Sequence, residues 1–178
     1  MVTAPGKTAL SEGEVTDRAA RIRLVLTDCD GVLTDAGVYY SARGEELKRF
    51  SLRDGMGVEL HRNAGIDTAI ITREKSEIVL RRAEKLKIRA HLGVADKAAA
   101  LDGILSQHGV TTSEVAYIGD DVNDLGAIER IRVEGLSAAP RDAVVEVSAR
   151  VHFVASHPGG HGAFRDFAEW LLRAKKTS

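Results

Sequence analysis

Short apolar runs alternate along this chain with stretches whose apolar residues recur at helical spacing. "IRLVLT", "DTAIIT", "RAHLGV", "EVAYIG", "VEGLSAA" and "VHFVAS" have the length and near-continuous hydrophobicity of strands buried on both faces. Between them, residues 54–63, 76–87, 97–108, 122–131 and 162–175 carry a 3.6-residue period. In 76–87, Ile78, Val79, Ala83 and Leu86 share one face while Arg81, Arg82 and Glu84 take the other. Strands that alternate with helices predict βαβ units: an α/β, Rossmann-like, mostly parallel sheet with helices on both faces. "GVYYSARGEELKRFS" breaks this rhythm and reads as a β-hairpin flap. Residues 1–20 are small, polar and weakly periodic, and are expected to form a flexible tail or one short helix, leaving 21–178 as a single domain.

Composition narrows the function classes. A chain of 178 residues with 44% hydrophobic content can bury one real core. Its 25 Lys+Arg balance 26 Asp+Glu, so no global field recruits nucleic acid or a membrane surface, and functional charge has to be local. No apolar run is long enough to span a bilayer, and no secretory leader is visible. The single cysteine, Cys29, cannot form an internal disulfide and suits a reducing compartment, so a cytoplasmic protein is expected.

In an open α/β sheet, ligands bind beyond the carboxyl ends of the strands. The polar residues following the apolar runs there are Asp28 and Asp30, then Thr72, then Lys97, then Asp120, Asp121 and Asp124. Five carboxylates at one edge repel one another, and a hard cation such as Mg²⁺ resolves that repulsion while keeping waters for a phosphate oxygen to replace. Lys97, the Thr72 hydroxyl and backbone N–H groups near Gly31 could hold the other phosphate oxygens. The one-residue gap in "DCD" lets both carboxylates face one substrate. One can attack phosphorus, while the other protonates the leaving oxygen and later deprotonates water. Each residue alone reads as a turn, a cap or a solvated charge; the conjunction at four strand ends, in order, argues for a site.

With "DCDGV", Thr72, Lys97 and "GDDVND" in this order, the sequence resembles the haloacid dehalogenase superfamily of phosphatases. The resemblance implies Asp28 as nucleophile, Asp30 as general acid/base, and Thr72 and Lys97 as phosphate binders. It implies a Mg²⁺ shell from Asp28, the Asp30 carbonyl and Asp120, with Asp121 and Asp124 orienting that shell or Lys97. "DCDGVLTD", "LKRFSLRDGMGVELHRNAGI", "AIIT", "AYIGDDVND" and "GGHGAFRDF" are similar to its capless subgroup. That subgroup acts on phosphorylated 2-keto-3-deoxy sugar acids, either 3-deoxy-manno-octulosonate 8-phosphate or the nine-carbon nonulosonate 9-phosphates. Independently, the stretches separating Asp30, Thr72 and Lys97 are too short for a separate cap domain.

The same resemblance implies a homotetramer in which residues 38–50 build the interface and "HPGGHGAFR" reaches toward a neighbouring site, with Arg165 as a substrate contact. Octulosonate enzymes usually carry glycine and arginine after the motif threonine, where this chain has Arg73 and Glu74. Glu74, with Lys85 in the following helix, is closer to the nonulosonate pattern and tilts the expectation toward nine carbons, while Arg73 fits neither. Two rivals remain: a receiver-like signalling domain that keeps its aspartyl-phosphate, and a non-catalytic oligomerisation module of this fold.

Overall fold

The computed structural model describes residues 10–177. Its centre is a six-stranded parallel sheet built from β1 (Leu24–Thr27), β4 (Asp67–Ile71), β5 (Arg89–His91), β6 (Val115–Ile118), β7 (Leu136–Ala139) and β8 (Phe153–Val154). The hairpin strands β2 (Thr34–Ser41) and β3 (Gly44–Phe50) form a separate antiparallel pair. The helices are α1 (Glu12–Arg21), α2 (Leu52–Asn63), α3 (Glu77–Leu86), α4 (Lys97–His108), α5 (Leu125–Ile131), the short α6 (Val145–Ser148) and α7 (Ala163–Lys176). The six apolar runs are thus the six sheet strands, in chain order.

Strand order in the sheet is β5-β4-β1-β6-β7-β8. The chain winds outward from β1 through β4 to β5, then returns to β1's other side at β6. That reversal leaves a crevice beyond the carboxyl ends of β1 and β6, where open α/β sheets bind ligands. Two apolar clusters cover the two faces. Val25, Ile70, Ala116 and Ala138 pack with Phe164, Phe167 and Leu171 of α7 on one side. Leu24, Leu26, Ile71 and Tyr117 pack with Leu101 of α4 and Ile128 of α5 on the other. All four residues of β1 and of β6 are buried, which explains their unbroken hydrophobicity.

Helix ends follow local chemistry. Ser51 caps α2 by accepting from the Arg53 and Asp54 N–H groups, and Asp96 caps α4 through Ala99 N–H. Asp54 reaches from α2 to accept from Gly162 N–H and Arg165 N–H at the start of α7, at 3.1 and 3.0 Å.

Of the expected tail or short helix, the first nine residues lie outside the described residues, and Glu12–Arg21 form a helix closed by a Ser11–Glu14 capping box. Arg18 fastens this helix to the carbonyls of Arg132 and Gly135, at 2.8 and 2.9 Å. Ala19 and, just past the helix, Ile22 are buried in the core cluster that includes Phe167 and Leu171 of α7, so its hold is apolar as well as polar. Among the described residues no helix is long and apolar enough to cross a membrane.

Candidate active site

The ends of three sheet strands and Ala36 of the hairpin converge on one cleft of about 350 Å³, lined by Asp28, Asp30, Ala36, Thr72, Arg73, Glu74, Asp120, Asp121, Val122 and Asn123. Asp28 follows β1, Thr72 follows β4 and Asp120 follows β6. Lys97 enters from the first turn of α4, and its side chain is fully buried. Its Nζ lies 2.8 Å from Asp28 Oδ1 and 2.6 Å from Asp124 Oδ1. Burial works against the ammonium's charge but is outweighed by these two carboxylates, so Lys97 is held above its ordinary value. Asp28 Oδ1 also accepts the Cys29 N–H at 2.7 Å.

The cluster carries more negative charge than Lys97 can balance. Burial and then the charge of Asp124 push Asp28 up to about 7, against the pull of Lys97. Burial, Asp28 and Asp124 push Asp120 up to about 8. Asp120 Oδ1 is buried without a hydrogen-bond partner, and oxygens of Asp28, Asp120 and Asp124 lie within 4.8 Å of one another. An orphaned carboxylate oxygen among like charges is the environment a hard divalent cation satisfies.

Asp124 is already engaged on both oxygens. Oδ1 accepts from Lys97 and from Tyr117 Oη at 2.6 Å, and Oδ2 accepts from Asp120 N–H at 3.1 Å. It therefore orients Lys97 and the Asp120 backbone. Asp121 is exposed and accepts from Val122 N–H at 2.7 Å, closing a capping box with Asp124 over the 3-10 turn Val122–Asp124. The cap reading of "GDDVND" is realised, and Asp120 and Asp121 of the same stretch line the cleft.

Gly31 turns the backbone at φ 86°, and a side chain there would collide with the Asp120 carboxylate. Thr72 is buried at the cleft floor, its hydroxyl accepting from Glu74 N–H at 3.2 Å. Arg73 and Glu74 are exposed on the rim; Glu74 also lines an adjoining cleft with Tyr40, Glu45 and Ser76.

Two expected specificity residues are not brought to this cleft within the chain. Lys85 is exposed on α3. Arg165 pairs with Glu169 at 2.7 Å and lines a separate cleft with Arg53, His157 and His161. Within the chain the glycine-rich segment lies on the loop that follows β1, where Gly160 N–H donates to Val32 O at 2.9 Å.

Sequence reasoning missed Lys48, whose Nζ lies 2.8 Å from both oxygens of Asp30, and Thr34, whose hydroxyl donates to Asp30 Oδ1 at 3.1 Å. It also missed Tyr117, a lone hydroxyl in a wholly buried strand. The available signals were that hydroxyl in an apolar run and the alternation in "EELKRF", which turns Lys48 inward.

No family model matches the chain. A curated relative from Haemophilus influenzae, 3-deoxy-D-manno-octulosonate 8-phosphate phosphatase KdsC, is 40% identical over 158 residues, covering 88% of this chain and 86% of the relative. The solved structure of the phosphatase of that name from Moraxella catarrhalis, in complex with magnesium ion, phosphate ion and a KDO molecule, superimposes with a TM-score of 0.85 at 34% identity. It covers 93% of this chain and 94% of that one. A structure from Legionella pneumophila described as a HAD superfamily (subfamily III A) hydrolase gives 0.86 at 36% identity, over 93% and 90%.

Proposed function

Because this chain belongs to the 3-deoxy-D-manno-octulosonate 8-phosphate phosphatase family of the haloacid dehalogenase superfamily, and is a phosphatase, we propose that it releases phosphate from a 2-keto-3-deoxy sugar acid, the eight-carbon 8-phosphate first. The observation that carries this reading is the Asp28–Lys97–Asp124 chain beside the unpartnered Asp120 oxygen, at the crevice of the sheet. That the Moraxella relative's structure is a complex with magnesium ion and phosphate ion supports the reading of a metal-assisted phosphatase.

In this reading Asp28 attacks phosphorus. The bond from phosphorus to the sugar oxygen breaks, its electron pair stays on that oxygen, and Asp30 supplies the proton. Water then attacks the aspartyl-phosphate, gives its proton to Asp30, and phosphate leaves with Asp28 restored. Lys97 and the Thr72 hydroxyl hold phosphate oxygens; Asp124 keeps Lys97 aimed. Asp28, Asp120 and the Asp30 carbonyl would hold Mg²⁺, which would neutralise phosphate charge as it shifts onto the leaving oxygen.

A homotetramer belongs to this proposal, supported by the apolar side chains that the hairpin exposes: Val38, Tyr39, Tyr40 and Leu47. So does a reducing compartment, in which the buried Cys29 thiol stays free. The nine-carbon substrate is the second reading, favoured by Glu74 where the two clefts join.

The test is phosphate release with Mg²⁺ from octulosonate 8-phosphate, a nonulosonate 9-phosphate and p-nitrophenyl phosphate, for wild type and Asp28→Asn. Turnover of the eight-carbon ester that Asp28→Asn abolishes is expected. Preference for nine carbons moves the substrate to the second reading. One equivalent of bound phosphate without turnover returns the receiver, and no phosphoenzyme at all returns the oligomerisation module.

A further inference from the structure

Lys48 is a lysine whose side chain is 2% exposed, on a strand that does not belong to the central sheet. Burying an ammonium is costly, so its partners say what it is for. Its Nζ bridges both oxygens of Asp30 at 2.8 Å, with Glu45 Oε2 more distant at 3.5 Å. Burial works against its charge, yet Asp30 and Glu45 hold Lys48 above its ordinary value. The other donor to Asp30 is Thr34, the first residue of β2. Both groups that hold the Asp30 carboxylate are therefore hairpin residues.

The strand geometry makes this a lever. Side chains alternate along β3, so Leu47 projects outward at 63% exposure while Lys48 turns inward, and Arg49 fastens the strand to Gly160 O at 2.9 Å. Lys48 pairs across the hairpin with Val38, at the end of an irregularity between Thr34 and Val38. That irregularity includes Ala36, at φ 59°, which lines the catalytic cleft.

We propose that Lys48 is a positioning residue for the reaction: it acts through Asp30, fixing where that carboxylate delivers its proton, and makes proton delivery depend on hairpin placement. The inference rests on the reading of Asp30 as general acid/base. When Asp30 carries its proton, one oxygen still accepts from Lys48 and the other presents its O–H to the leaving oxygen. The bland alternative is a tie that only anchors the hairpin.

The two are separated by the leaving group. A sugar alkoxide needs a proton as its bond to phosphorus breaks, whereas p-nitrophenolate leaves without one. Single-turnover release of the alcohol from octulosonate 8-phosphate and of p-nitrophenol from its phosphate is measured for wild type, Lys48→Met, Lys48→Arg and Asp30→Asn. Lys48→Met is expected to slow the alkyl ester about tenfold or more beyond its effect on the aryl ester, with KM little changed, and Asp30→Asn to show a larger split of the same kind. Lys48→Arg, whose fork can engage both oxygens, recovers most of the loss. If Asp30→Asn shows the split and Lys48→Met slows both esters equally or neither, Lys48 is only an anchor and the inference is overturned. If Asp30→Asn shows no split, the reading of Asp30 falls, and the inference with it. Lys48→Gln, which keeps a neutral donor, gives the same comparison should the Met variant not fold.

Discussion

Gly159 packs against the carbonyl of Gly31 with no room for a methyl group between them. Gly31 follows the acid/base candidate Asp30, and Gly159 N–H is itself held by Asp142 Oδ1 at 2.9 Å. Gly159→Ala therefore has to displace either the loop carrying Asp28, Asp30 and Gly31 or a tied segment. We expect activity to fall by about tenfold or more, since small misplacements of reacting groups are costly, with the fold retained. Phosphate release beside far-ultraviolet circular dichroism checks this; unchanged turnover would show that the segment yields instead.

Among the described residues Lys97 is the cation between Asp28 and Asp124, so Lys97→Met leaves buried carboxylates facing each other. Breaking a buried pair from one side costs about 3–5 kcal/mol. The Lys97→Met/Asp124→Asn double variant removes one uncompensated charge and should recover part of that stability but none of the activity. Urea denaturation of the three proteins measures it, and a double variant no more stable than Lys97→Met would refute the charge argument.

The middle of the sheet was readable because β1, β6 and β7 are buried along their whole length and β4 beyond Asp67, so hydrophobic length and strand length coincide there, while the edge strands β5 and β8 are only partly covered. Asp28, Thr72 and Asp120 were readable because they stand at the ends of those strands, and Lys97 because it opens the helix that follows β5. Lys48 and Thr34 were not, since they come to Asp30 by hairpin packing rather than by adjacency to an apolar run. Residues 1–20 stay open between tail and short helix in the sequence because Ala19 is the one buried residue of α1, with Arg18 on two carbonyls holding the helix beside it. Arg165 was named by motif, but its side chain follows the nearest partner, Glu169 one helical turn on.

Asp120 is kept in a costly place. Its unpartnered oxygen faces the charges of Asp28 and Asp124, so without metal the site opposes folding. Asp120→Asn should melt higher than wild type in EDTA near pH 8. Millimolar Mg²⁺ should raise the melting temperature of wild type and leave the variant almost unmoved, because a ligand stabilises only the state that binds it. Differential scanning fluorimetry with and without Mg²⁺ decides it; equal Mg²⁺ responses would remove Asp120 from the metal site.

His61 sets an acid limit on stability. It is fully buried on α2, edge-on to Phe164 and Phe167, with Nδ1 3.3 Å from Thr68 Oγ1 and Nε2 without a partner. Burial pushes its pKa down to about 4 from 6.5. Below pH 6.5 the unfolded chain binds a proton that the folded chain refuses, so stability falls as pH drops from 6.5 toward 4. At about pH 5 this amounts to roughly 2 kcal/mol. His61→Phe keeps the ring contacts and removes the titration, at the cost of the Thr68 hydrogen bond at every pH. The stability gap between variant and wild type should therefore shift by about that amount in the variant's favour between pH 8 and pH 5, as read by urea denaturation at each pH. Parallel curves would mean that His61 accepts its proton in the folded state, through an opening between α2 and α7 that the packed structure does not contain.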